Sequence, residues 1–171
     1  MMRIFLFAAI GLLTACDKDD QNAMPYYVAP AGTADVTLTM TGGSTYELDG
    51  PCGWAYAGGV GYVGANQTDN SLKTFSIDTN LTELPSVTTT FTLTDDALDE
   101  DPTKARIHLT EFVGSSFVSW DSTTASGQVT FAVNGNEVTV DLSGITLEAE
   151  SSNDVPYDNN GTLSGTLKFY K

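Results

Sequence analysis

From Ala34 onward, apolar and polar residues alternate with a period of two. Val36, Leu38 and Met40 are interleaved with Thr37, Thr39 and Thr41, and Phe91 and Leu93 with Thr90, Thr92 and Thr94. Later, Val129, Phe131 and Val133 alternate with Gln128, Thr130 and Ala132, and Val138, Val140 and Leu142 with Thr139 and Asp141. In an extended chain this sends the apolar side chains to one face and the hydroxyls to the other, as in a half-buried antiparallel sheet. No segment sustains a helical period. The 24 threonines reinforce the reading, because β-branching fits a pleated surface and disfavours helix.

Turn residues divide the pattern into short strands. Asn134-Gly135 separates two of them, as the dipeptide that tolerates positive φ in a tight hairpin, and Gly58-Gly59 separates Trp54–Ala57 from Val60–Val63. Further strands are predicted over Lys73–Ile77, Ala105–Phe112, Phe117–Trp120, Ile145–Glu148 and Thr162–Tyr170. Short strands with turns this frequent predict an all-β domain over 34–171. The unequal connections favour a single antiparallel β-sandwich, with a β-barrel as the alternative.

The start of the chain has another character. Arg3 precedes an apolar run from Ile4 to Leu13, which is too short for the about 20 helical residues that span a bilayer core and fits the hydrophobic region of an export signal. Leu13-Thr14-Ala15-Cys16 follows and resembles the lipobox of bacterial lipoproteins. That resemblance implies a signal peptide at 1–15, a diacylglyceryl group on the Cys16 sulfur with further fatty acyl (palmitate) chains, and a tether over 16–33. Two or more acyl chains anchor stably, at about 0.8 kcal/mol per buried CH₂. Asp17-Lys18-Asp19-Asp20 resembles the acidic surface-export tag of lipoproteins from Bacteroidota, implying the outer membrane and display at the cell surface. Asp17 by itself also resembles an inner-membrane retention signal, and a periplasmic-facing location is the alternative. The Ser-Gly pairs at Ser126-Gly127, Ser143-Gly144 and Ser164-Gly165 resemble the closing strands of small uncharacterised surface lipoproteins of Bacteroidota, which implies fold and address but no activity.

Composition narrows the chemistry. Of 171 residues, 22 are acidic and 7 basic, a net charge of −15 that disfavours a nucleic-acid surface. One histidine and two cysteines do not make the usual zinc sites. With Cys16 lipidated, Cys52 is left as a small buried residue beside Pro51, Gly53 and Trp54.

Two constellations are candidate sites. Asp95, Asp96, Asp99, Glu100 and Asp101 form an acidic loop that offers oxygen ligands to Ca²⁺, without the spacing of an EF-hand. Trp54, Tyr56, Tyr62 and Trp120 are a candidate aromatic platform for a glycan or protein ligand, weighed against ordinary core packing. His108 lies on the polar face of its strand with Arg106 and Thr110 and reads as a surface residue. Asp121-Ser122-Thr123 resembles an O-glycosylation acceptor of Bacteroidota. The expected function is a non-enzymatic binding or structural module anchored to the membrane. The alternative is a hydrolase of glycans or esters, signalled by a pocket where carboxylates converge on Trp54 or Trp120.

Overall fold

A computed structural model describes residues 31–67, 72–96 and 101–171. Cys16, the leader and the tether up to Pro30 lie outside the described residues, as do Asp99 and Glu100. Among the described residues there are eleven strands: β1 (Gly32–Met40), β2 (Thr45–Ala57), β3 (Val60–Asn66), β4 (Thr74–Thr79), β5 (Thr89–Leu93), β6 (Lys104–Val113), β7 (Ser116–Asp121), β8 (Gln128–Asn134), β9 (Glu137–Asp141), β10 (Thr146–Ala149) and β11 (Gly161–Tyr170).

The expected sandwich is not what forms; the barrel alternative holds. β1 pairs with β2 on one side and with β11 on the other, so the order β1-β2-β3-β4-β6-β5-β8-β9-β11 returns to its start. Closure removes the sheet edges a sandwich would leave. It is possible because β11 pairs with β1 from Gly161 to Lys168 along one side while taking β10 and then β9 along the other. Gly165, with φ of 110°, lies between those two stretches, and a Cβ there would collide with the Asp35 carbonyl oxygen. The sheet is also not wholly antiparallel, since β5 runs parallel to β6.

The wall forks twice. β6 pairs first with β5 at Lys104 and Ala105, then with β7 from His108 to Val113. β11 likewise pairs with β10 near its start and with β9 near its end. Between these forks the lower wall is β5-β8-β9 and the upper wall is β7-β10.

The period-two pattern fills the interior. Val36, Leu38, Ile77, Phe91, Ile107, Leu109, Phe131, Val140, Leu167 and Phe169 are all buried. Phe131 meets Phe91 edge-on at 5.1 Å and Phe169 at 6.0 Å. Outward positions carry Thr, Asp and Lys, the reverse of the alternation in a membrane-spanning barrel. The β8–β9 hairpin turns at Gly135-Asn136, one residue later than the Asn134-Gly135 expectation, because Asn134 already pairs with Glu137 and Gly135 takes φ of 62°.

The two ends of the barrel are distinct. At one, the chain enters β1 at Gly32, Leu81 packs near the β2–β3 turn, and Lys171 N–H donates to the Asn136 carbonyl at 2.9 Å. At the other lie the turns 41–44 and 114–115, Gln67, Leu72 and Lys73, and the loop 150–160. Thr41 N–H donates there to the Asn160 carbonyl at 2.9 Å, and the Lys73 ammonium to the Glu47 carbonyl at 3.0 Å.

Candidate functional site

The aromatic platform does not assemble, and strand parity is the reason. The two-residue turn at Gly58-Gly59 sets Trp54 opposite Val63 and Tyr62 opposite Ala55. Directly opposed residues share a face, so Trp54 points inward and Tyr62 outward. Trp54 lies over Gly61, where a Cβ would strike its ring, and packs against the core with Leu81 and Leu84. Tyr56 projects past the rim. Trp120 is wholly buried in the upper barrel, edge-on to Tyr46 at 5.9 Å and to Tyr157 at 6.2 Å, and its indole N–H donates to the Asn159 carbonyl at 3.1 Å. The four rings thus occupy the mouth, the rim, the outer face and the core. Among the described residues, the Trp120 indole N–H meets a backbone carbonyl and no carboxylate.

The acidic loop is described in part. Thr94 Oγ1 donates to Asp95 at 3.3 Å and accepts from Asp96 N–H at 3.2 Å, while Asp101 accepts from the Thr103 amide at 2.9 Å and hydroxyl at 2.6 Å. The Thr103 bonds hold the exposed Asp101 carboxyl below its ordinary range. These are local turn bonds. Among the described residues, no group of three or more His, Cys, Asp or Glu is gathered closely enough to hold a metal ion.

On the outer wall, His108 and Arg106 belong to a polar cluster whose other members come from β4 and β7. His108 faces Asp121 across β6–β7 and Ser76 across β4–β6, and Arg106 faces Asp78. The Asp121 Oδ1 accepts from Arg106 Nε at 2.7 Å and lies 2.7 Å from His108 Nδ1, with Arg106 Nη2 on the same oxygen. Its Oδ2 is buried and has no hydrogen-bond partner among the described residues. Burial alone would raise the Asp121 carboxyl, but the His108 bond and the His108 and Arg106 charges outweigh it and hold the group below its ordinary value. Asp78 goes the other way, raised chiefly by burial despite the Ser76 hydrogen bond. The legible signal was the hairpin turn at Gly114-Ser115: once it is placed, His108 must oppose Asp121.

Ser122, the middle residue of the apparent glycosylation acceptor, is wholly buried where β6 leaves β5 for β7. Its hydroxyl accepts the Ile107 N–H at 2.8 Å and donates to the Thr94 carbonyl at 2.7 Å. A residue closed in on both sides offers no oxygen to a sugar. Cys52 is buried, its Sγ donates to the Lys168 carbonyl at 3.3 Å, and burial pushes its thiol up, away from reactive thiolate.

The other notable surface is at the barrel end away from Gly32. Phe117 there separates two shallow grooves, one of about 400 Å³ toward Leu72, Thr74 and Thr110 and one of about 140 Å³ toward Val155 and Tyr157. No family model matches the chain, and neither a curated protein nor a solved structure matches it.

Proposed function

We propose that the chain is a lipid-anchored envelope protein, acylated at Cys16, carried to the outer membrane and displayed at the cell surface as a non-enzymatic binding module. The observation that carries the reading is Leu13-Thr14-Ala15-Cys16, set directly after the Ile4–Leu13 apolar run and sixteen positions ahead of the first strand residue, Gly32. An extended tether of that length reaches about 50 Å at 3.3–3.6 Å per residue, enough to clear a headgroup layer. The interior filled by buried apolar side chains supports a binding role exercised at the outer surface.

Metabolic palmitate labelling of the wild type and of Cys16→Ala tests the anchor, and protease treatment of intact cells tests display. Label lost in Cys16→Ala together with cleavage on intact cells is the expected result. Label retained in the variant removes the anchor, and protection on intact cells moves the body to the periplasmic face.

A hydrolase reading has one observation in its favour, the His108–Asp121 pair at 2.7 Å with Ser76 opposite His108. Against it, the same Asp121 oxygen is shared with Arg106, which fits a clasp between β6 and β7. Hydrolysis of p-nitrophenyl acetate by the wild type that is abolished in both Ser76→Ala and His108→Ala would establish it.

A further inference from the structure

Asp121 commits one of its two carboxyl oxygens to the β6 side. Oδ1 takes Arg106 and His108, whereas Oδ2 meets no donor among the described residues. The residue is 8% exposed, so bulk water does not make up the missing bond. It is ionised at neutral pH: burial opposes this, and the His108 and Arg106 contacts outweigh it. On the other side Asp121 is directly opposed to Glu148 across β7–β10. Opposed residues share a face, so both carboxylates stand on the outer wall, in a register where like charges repel. Neither supplies the other with a donor, since an ionised carboxylate only accepts.

An open recess of about 250 Å³ lies along this seam, lined by Asp121 and Glu148 with Asp95, Glu150 and Ala149 among others. Among the described residues that line it, none is a base. A buried charged acceptor that faces a recess of its own sign is unfavourable until a donor arrives from outside. The matching occupant is a cation that carries N–H donors. Spacing then separates the kinds of cation. Among the described residues no three acids gather closely enough to hold a metal ion, so a bare divalent cation lacks its shell of oxygen ligands here. An ammonium group needs no such shell, because its three donors reach separate acceptors. The alkyl chain behind it has Ala149 to lie against.

We infer that this recess binds a primary alkylammonium group, with one N–H on Asp121 Oδ2 and the others toward Glu148 and Glu150. The amine is either free in solution or carried on a lysine side chain. The inference rests on the reading of the body as a binding module and gives that module the chemistry of its ligand.

The test is calorimetric titration of the detergent-solubilised full chain with pentylamine, with pentanol and with a single-lysine peptide capped at both ends. Pentylamine is expected to bind one to one, and pentanol, an uncharged molecule of the same length, not to bind. Glu148→Gln should weaken pentylamine roughly tenfold, as the loss of one charge-assisted hydrogen bond does, and Glu150→Gln should act in the same direction. Both positions are exposed and lie outside the Arg106–His108 clasp, so neither change removes a buried contact. Glu83→Gln removes the same charge from an exposed position outside the recess and should leave binding unchanged. Peptide binding with the same dependence on Glu148 would assign the site to a lysine side chain, and pentylamine binding without it to a free amine. Equal weakening in Glu83→Gln would mean attraction by net charge alone and overturn the inference. So would equal binding of pentanol, displacement of pentylamine by stoichiometric Ca²⁺, or failure of both amines to bind. Glu148-dependent amine binding in a chain that takes no palmitate fails the anchor reading alone; a labelled chain that binds neither amine fails this inference alone.

Discussion

The two walls between the forks do the same job by different means. The lower wall, β5-β8-β9, joins its strands through continuous backbone ladders, and Phe91 and Phe131 back it from inside. The upper wall, β7-β10, rests on a four-residue strand with two paired positions on each side. Side chains complete it. Asn153 accepts the Ser119 N–H at 3.0 Å and donates to the Ser119 carbonyl at 2.7 Å and the Tyr157 carbonyl at 2.9 Å. Asn160 accepts the Ala149 N–H, and Trp120 ties itself to Asn159. A ladder of backbone bonds tolerates changes in its outward residues, whereas a wall sealed by a few buried amides and hydroxyls depends on each of them.

The largest expected effect breaks the lower wall from within. Phe131→Ala leaves a void among Phe91, Phe169 and their neighbours and should cost about 3–5 kcal/mol in urea unfolding. Thr130→Ala, on the outer face of the same strand, removes one exposed hydroxyl pair and should cost less than about 1 kcal/mol.

Next comes the junction. Ser122→Ala strands the Ile107 N–H and the Thr94 carbonyl together, and we expect about 2–3 kcal/mol from the two buried groups. Amide exchange should quicken first around Ile107 and Ser122 rather than in β8 or β9. Uniform quickening would mean that the walls open as one unit.

The smallest effect is a pH dependence. Because the Asp121 carboxyl is held below its ordinary value of 3.8, its contribution is fully present above that value and is lost as the pH falls through the depressed one. Asp121→Asn should therefore be less stable than wild type near neutrality, and the gap should close in acid. Tyr46 supplies the opposite flank. Burial, and secondarily the Glu111 charge, raise its phenol well above 10, so the neutral form is favoured in the fold and stability falls as the pH climbs past 10. A gap between wild type and Asp121→Asn that persists unchanged in acid would remove the clasp from the account.

The same contrast explains what was legible in the amino-acid order. β1, β5, β8 and β9 follow from plain alternation, because each has one apolar face against a single interior. β2 was recognised only from Trp54, since Asp49-Gly50-Pro51 imitates a turn, yet pairing with β1 carries the strand through it. The short β10 and the loop after it are held by Asn153 and Asn160, whose partners are distant in sequence and leave no periodic trace. Ring closure was equally hidden, because nothing local in β1 or β11 states that they are neighbours. Among the candidate site residues, the separation of Tyr62 from Trp54 is legible by counting across the Gly58-Gly59 turn, which sets Tyr62 opposite Ala55. The burial of Trp120 is not, since it depends on Tyr46 and Tyr157 arriving from two other segments.

The pairing of the first strand with the eleventh has a consequence for biogenesis. As the polypeptide emerges residue by residue, β1 can take β2 at once but must wait for nearly the whole sequence before its second neighbour exists. Contacts between partners so far apart close slowly, because the loop entropy is spent before any bond forms. Throughout that interval the nascent molecule keeps one ragged flank ready to accept another strand, and only arrival of the segment from Gly161 to Lys168 retires it.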